Sequence, residues 1–221
     1  MGDQAGGEKF SGATRYILDD ELAKIVNISM ALEMPLLLKG EPGTGKTMLA
    51  HAIAESLKMP LIVLNVKSSM KLVEALYQYD TLTRLNDSRF GDSSRDVSKI
   101  EDYIRMGKIG QAFTSDVRTV LLIDEIDKAD TDLPNGLLES FGNNGFQVPQ
   151  AHTHVRGRPG HVTPLVVITT NEERELPAAF LRRCVVLHVK LPKGDDLKPF
   201  LIQRGRDRLH RVAPRSIIAW V

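Results

Sequence analysis

The chain has one cysteine in 221 residues, Cys184, which excludes a disulfide framework and suits a reducing compartment. Aromatic residues are scarce, at 5%, and no basic–aromatic interleaving offers stacking platforms for bases. No apolar run reaches the roughly 20 residues that a membrane-crossing helix needs. Residues 1–10 are polar and glycine-rich with no apolar signal core, so the expected location is cytoplasmic, with no membrane partner. Internal repeats and low-complexity tracts are absent too. What remains is an ordinary globular composition, 42% hydrophobic and 26% charged, enough for one domain with a sizeable core.

Net charge is only +1, but it is unevenly placed. Residues 1–150 carry 16 Lys/Arg against 22 Asp/Glu, and residues 151–221 carry 13 against 6. A basic C-terminal third suits nucleic acid or an acidic partner. With so few aromatics, arginines serving a nucleotide site or a subunit contact are the simpler reading.

The most informative stretch is Gly40-Glu41-Pro42-Gly43-Thr44-Gly45-Lys46-Thr47, which fits the phosphate-binding pattern G-x-x-x-x-G-K-[ST]. The glycines let the backbone turn tightly and bring its N–H groups to phosphate oxygens. Lys46 supplies a point charge for the β- and γ-phosphates, and Thr47 a hydroxyl for Mg²⁺. Residues 35–39 read as a buried strand and residues 48–58, from Met48, as a helix whose N-terminus favours the anion. A glycine-rich structural turn is the plain alternative.

Along the chain, Asp19 or Asp20 caps a helix to Leu32, with Leu22, Ile25, Val26 and Met30 on one face. Further strands are expected at residues 61–66, 118–123, 165–170 and 185–190. Ser68 or Ser69 caps a helix ending near Tyr77, and residues 79–98 read as a long polar loop. Residues 99–113 read as a helix, broken at Gly107. Asp130 or Thr131 caps a helix to Phe141, and residues 146–148 and 154–156 are two arms of a hairpin. Helices are expected again at residues 196–210 and from Pro214. Near-continuous apolar strands alternating with helices mean a parallel sheet covered on both faces.

Val120-Leu121-Leu122-Ile123-Asp124-Glu125 is an apolar strand ending in two carboxylates. In an open parallel sheet ligands sit beyond the C-terminal strand ends, which brings Asp124 beside the glycine loop to hold Mg²⁺. Glu125 is the natural general base for an attacking water. Two solvated acids at a strand end are the alternative, and Asp127 and Lys128 read as surface residues. Asn171 ends the strand Ile168-Thr169-Thr170-Asn171. It orients the water if that strand lies between the other two, and otherwise caps a turn.

The order of these motifs, followed by Leu176-Pro177-Ala178-Ala179-Phe180-Leu181-Arg182-Arg183, resembles the AAA+ ATPases, and more narrowly the MoxR family and its CoxD-like branch. The similarity runs over residues 16–189. It implies an α/β P-loop NTPase (AAA+) fold, a three-layer αβα sandwich with a parallel sheet, followed by a short, truncated helical lid. Residues 1–15 would be a flexible N-terminal segment, 16–191 the nucleotide-binding core with a hairpin insert at about 145–160, and 192–221 the partial lid. Lys46 and Thr47 would be the Walker A pair, Asp124 and Glu125 the Walker B acids, and Asn171 sensor 1. Arg183 would be the arginine finger acting on a neighbouring subunit, with Arg182 the competing candidate. Arg215 resembles the sensor-2 arginine or is a solvated arginine at a helix start. The segment around Tyr77, Gln78, Tyr79 and Asp80 lies where relatives place substrate-facing elements. Residues 103–108 offer a partner surface or a plain amphipathic helix.

The resemblance implies an ATP- and Mg²⁺-dependent ATPase, a homo-oligomer forming a hexameric ring, that remodels or matures a protein client, with a von Willebrand factor A domain partner. The alternatives are a nucleotide-dependent binding module with little hydrolysis and a nucleic-acid-associated ATPase. His152, His154 and His161 match no zinc spacing and read as a polar hairpin tip. Cys184 reads as a small buried residue.

Overall fold

The computed structural model describes residues 10, 20–90, 95–143, 145–156, 163–190 and 202. The chain opens with α1 (Asp20–Leu32), β1 (Leu36–Lys39), α2 (Lys46–Ser56) and β2 (Leu61–Asn65). There follow α3 (Leu72–Leu76), β3 (Tyr77–Tyr79), α4 (Thr81–Phe90) and β4 (Ile104–Met106). Next are α5 (Lys108–Thr114), β5 (Val120–Asp124), α6 (Asp132–Gly142), β6 (Gly145–Val148) and β7 (Thr153–Arg156). The described part closes with β8 (Leu165–Thr170), α7 (Ala178–Leu181) and β9 (Val185–His188).

Five strands form one sheet in the order β2-β5-β8-β1-β9, with every neighbouring pair parallel. The apolar runs of the three inner strands, β1, β5 and β8, are continuous because both of their faces are buried. Leu37, Leu121, Ile123, Val166 and Ile168 pack into a core with α3, α5 and α6. The alternate residues Leu36, Leu38, Val120, Leu122 and Val167 pack on α1 and α2. On α2 the buried stripe is Leu49, Ala50, Ile53 and Ala54, in which the alanines let the helix lie close to the sheet. This is the expected α/β sandwich. The expected lid, at residues 192–221, lies outside the described residues apart from Ile202.

β8 lies between β1 and β5, in register Leu37↔Ile168 and Ile123↔Ile168. The glycine loop after β1, Asp124 at the end of β5 and Asn171 just past β8 therefore meet at the C-terminal end of the sheet's strands.

Three expected secondary-structure elements differ from the structure, all in one region. The helix expected up to Tyr77 is only α3, because Tyr77 enters β3. β3 pairs antiparallel with β4, in register Gln78↔Arg105. Residues 99–113 are accordingly not one helix: a single 3₁₀ turn, Ile100–Tyr103, leads into β4, and the helix resumes only past Gly107. A Cβ at Gly107 would meet the carbonyl oxygen of Ala75 at 2.4 Å, so this close chain crossing requires glycine. The expected loop at residues 79–98 contains α4, started by Asp80, whose Oδ1 accepts the Thr83 N–H at 3.0 Å. Because α4 buries none of its residues, it has no apolar stripe for periodicity to detect.

The expected hairpin is β6–β7, in register Phe146↔Val155. Phe146 stacks on Tyr77 with ring centroids 6.1 Å apart, and the Tyr77 hydroxyl donates to Gln150 Oε1 at 2.8 Å. Tyr77 is thus a core residue rather than a substrate-facing one.

Candidate nucleotide site

Gly40, Gly43 and Gly45 all have positive φ, at 150°, 81° and 100°. Gly45 is the left-handed residue that starts α2, and a Cβ at Gly40 would lie 2.2 Å from the Val189 carbonyl oxygen. The loop can therefore close around a small anion and present the first N–H groups of α2. Glu41, Pro42, Gly43 and Met48 are exposed along it, while Thr44 is buried, its hydroxyl donating to the Glu41 carbonyl at 2.9 Å.

Lys46 is buried, and its ammonium donates to the carbonyls of Gly40 at 2.6 Å and Glu41 at 2.9 Å. An ammonium has three donors, so one remains for a ligand. Burial pulls the Lys46 pKa below its ordinary value. The field of Asp127, Asp124, Glu125 and Glu172 opposes that fall.

Thr47 faces Asp124 across the sheet, its hydroxyl 3.0 Å from Oδ1 and 3.2 Å from Oδ2. A hydroxyl and a carboxylate make an all-oxygen donor set, which suits a hard dication such as Mg²⁺. Thr169 of β8 donates to Asp124 Oδ1 at 2.6 Å and accepts the Glu125 backbone N–H at 2.8 Å.

Glu125 turns into the left-handed region, φ 61°, immediately after β5. Its Oε2 is ion-paired with Lys128. Its Oε1 accepts from Asn171 Nδ2 at 3.4 Å. Glu172 takes the same left-handed turn after β8, φ 62°, and pairs with Lys39 at 2.8 Å. The Lys39 ammonium holds the Glu172 carboxyl below its usual range.

The structure brings together Lys46, Thr47, Asp124, Glu125 and Asn171. Arg182 and Arg183 stand apart, exposed just past α7, with no hydrogen bond or ion pair to either guanidinium among the described residues. Arg215 and His161 lie outside the described residues, while His152 and His154 belong to the hairpin. Cys184 is buried, and burial pushes its thiol up to about 12.

Sequence reasoning passed over Thr169, Asp127 and Lys128. Thr169 carries a signal, being the first polar residue to interrupt the apolar run of β8. Asp127 carries none. Expected at the surface, it is only 2% exposed and sits in the 3₁₀ turn Ile126–Lys128. Burial here follows from the packing of that turn against β8 and the loop after it, whose Asn171 and Glu173 N–H groups reward a carboxylate. Lys128 is exposed as expected, but it is tied to Glu125.

A parallel sheet with helices on both faces, a glycine loop after its first strand and acids at the end of a neighbouring strand define the P-loop NTPase fold. Residues 36–192 match the family AAA, the ATPase family associated with various cellular activities, and the chain belongs to that family. Among solved structures, the chain resembles a point mutant of Thermotoga maritima RuvB with a TM-score of 0.53 and 16% identity, over 92% of this chain and 55% of that one. It resembles one chain of the magnesium chelatase BchI–BchD complex with a TM-score of 0.55 and 18% identity, over 81% and 62%. A Cytophaga hutchinsonii protein, described provisionally as an ATPase, gives 0.52 and 15%, over 82% and 48%. The chain thus spans about half to three-fifths of the length of these proteins. No curated protein sequence matches it. Among the described residues no helix is long and apolar enough to cross a membrane.

Proposed function

We propose that this chain binds ATP with Mg²⁺ and hydrolyses it. The observation that carries the reading is the Thr47–Asp124 hydrogen bond, which joins the glycine loop to the acidic strand end. With Mg²⁺ bound, Thr47 and Asp124 would hold it, and it would supply charge neutralisation on the phosphates. The loop N–H groups and Lys46 bind the phosphate oxygens.

Glu125 accepts the proton of an attacking water, whose oxygen bonds to the γ-phosphorus as the bond to the β,γ-bridging oxygen breaks. The products are ADP and inorganic phosphate. Asn171, already in contact with Glu125 Oε1, orients that water. Carboxylate oxygens have about four lone-pair positions, so the contacts of Glu125 with Lys128 and Asn171 leave room for it.

The finer reading is a MoxR-type ATPase, working in a homo-oligomeric ring in the cytoplasm on a protein client, with a von Willebrand factor A domain partner. The exposed Arg182 and Arg183 support the ring, since one of them is available to a neighbouring subunit's γ-phosphate. The buried, protonated Cys184 suits a reducing compartment.

The test is Glu125→Gln. It should bind an ATP analogue as the wild type does, with turnover down by about a hundredfold or more. Equal turnover in both proteins would sink the reading.

A further inference from the structure

We propose that Asp127 is a positioning residue: its buried carboxylate holds the loop 171–173 so that the Asn171 amide stays on Glu125. The inference rests on the ATPase reading and adds to it a residue that acts through Asn171.

One oxygen of Asp127, Oδ2, accepts two backbone N–H groups, those of Asn171 and Glu173, each at 3.0 Å. The N–H between them, on Glu172, goes to Thr170 Oγ1 at 3.0 Å. Three consecutive amides are thereby fixed, and Lys39 anchors the Glu172 side chain from β1. Burying a carboxylate costs several kcal/mol unless it is paired or accepts hydrogen bonds. Charge-assisted bonds to two amides offset that cost. The other oxygen, Oδ1, is buried with no hydrogen-bond partner among the described residues.

Position gives the arrangement its consequence. Asp127 lies two residues past Glu125, in the 3₁₀ turn that Glu125 caps. The turn that presents Glu125 thus also grips the loop presenting Asn171. The distance between the two side chains is set by this grip, since Asn171 lies beyond the last residue of β8 and outside the sheet's own ladder.

The experiment compares Asp127→Ala, Asp127→Asn, Asn171→Ala and the Asp127→Ala/Asn171→Ala double variant for ATP turnover, with amide hydrogen exchange at residues 171 and 173. Asp127→Ala should lower kcat by about tenfold or more with KM for ATP within about threefold. Exchange at the two amides should speed up, while β8 keeps its protection. Asp127→Asn, which keeps a carbonyl oxygen acceptor, should recover most of kcat. With Asn171 already removed, Asp127→Ala should cost less than about threefold more.

Unchanged exchange at both amides, or fully additive losses in the double variant, would overturn the proposal. If Asp127→Ala does not fold, Asp127→Asn decides: a folded variant with less than about a tenth of wild-type kcat also overturns it. A wild-type protein that binds ATP without turnover would instead sink the ATPase reading. The exchange comparison would then still decide whether Asp127 holds the loop.

Discussion

The Thr169 hydroxyl donates to Asp124 Oδ1 at 2.6 Å and accepts the Glu125 N–H at 2.8 Å, so one side chain orients both acids at the end of β5. Thr169 is almost fully buried, and water cannot replace it there. Thr169→Val keeps the shape and removes both bonds. The Glu125 N–H loses its acceptor, a loss of about 1–3 kcal/mol in stability. The Mg²⁺ concentration for half-maximal ATPase should rise several-fold, as read by metal titration of turnover alongside denaturant unfolding.

Lys46→Met should separate ligand binding from folding. The ammonium is buried, and burial already works against its charged form. Removing it should weaken binding of a fluorescent ATP analogue by about tenfold to a hundredfold, the scale of a lost charged hydrogen bond. The melting temperature without nucleotide should hold or rise. A large fall in both would mean that Lys46 is mainly structural.

Arg183→Ala and Arg182→Ala should differ sharply. For the residue that acts across subunits, the loss in turnover should be about a thousandfold, with ATP still bound. Wild-type specific activity should climb with protein concentration as subunits complete each other's sites. A flat specific activity would argue for a site contained within one chain.

Gly107→Ala should destabilise without touching the nucleotide site. The added Cβ meets backbone, with the carbonyl oxygens of Ala75 and Glu74 at 2.4 and 2.5 Å, and neither can swing aside. The expected cost is about 1–3 kcal/mol, measured by urea unfolding.

The Cys184 thiol should resist iodoacetamide in the native protein at pH 8 and react on unfolding, since its native pKa is about 12 against an ordinary 9.0. Between those values the native state keeps a proton that the unfolded state has lost. This contribution to stability is therefore full below pH 9 and is lost as pH rises towards 12. Rapid native alkylation at pH 8 would contradict the burial.

The glycine loop and the five strands of the parallel sheet, its three inner strands above all, were legible in the residues because their causes are local. A loop that cradles phosphate needs its glycines in a fixed pattern, and a strand buried on both faces must be apolar throughout. Asp124 and Glu125 stood out at the end of such a strand, as did Asn171 after another. The region of residues 77–106 misread because its structure depends on distant partners. Tyr77–Tyr79 are a strand only because Ile104–Met106 lie beside them, and α4 carries no apolar stripe.

The sequence by itself determined the fold class and the candidate residues for phosphate, metal and water. Only the tertiary structure decided their partners: β8 between β1 and β5, Thr169 on Asp124, and the buried Asp127 gripping the loop of Asn171. The reason is physical. Apolar patterning and glycine spacing are properties of a chain segment, whereas hydrogen bonds across 44 or 45 residues exist only once the sheet has set its strand order.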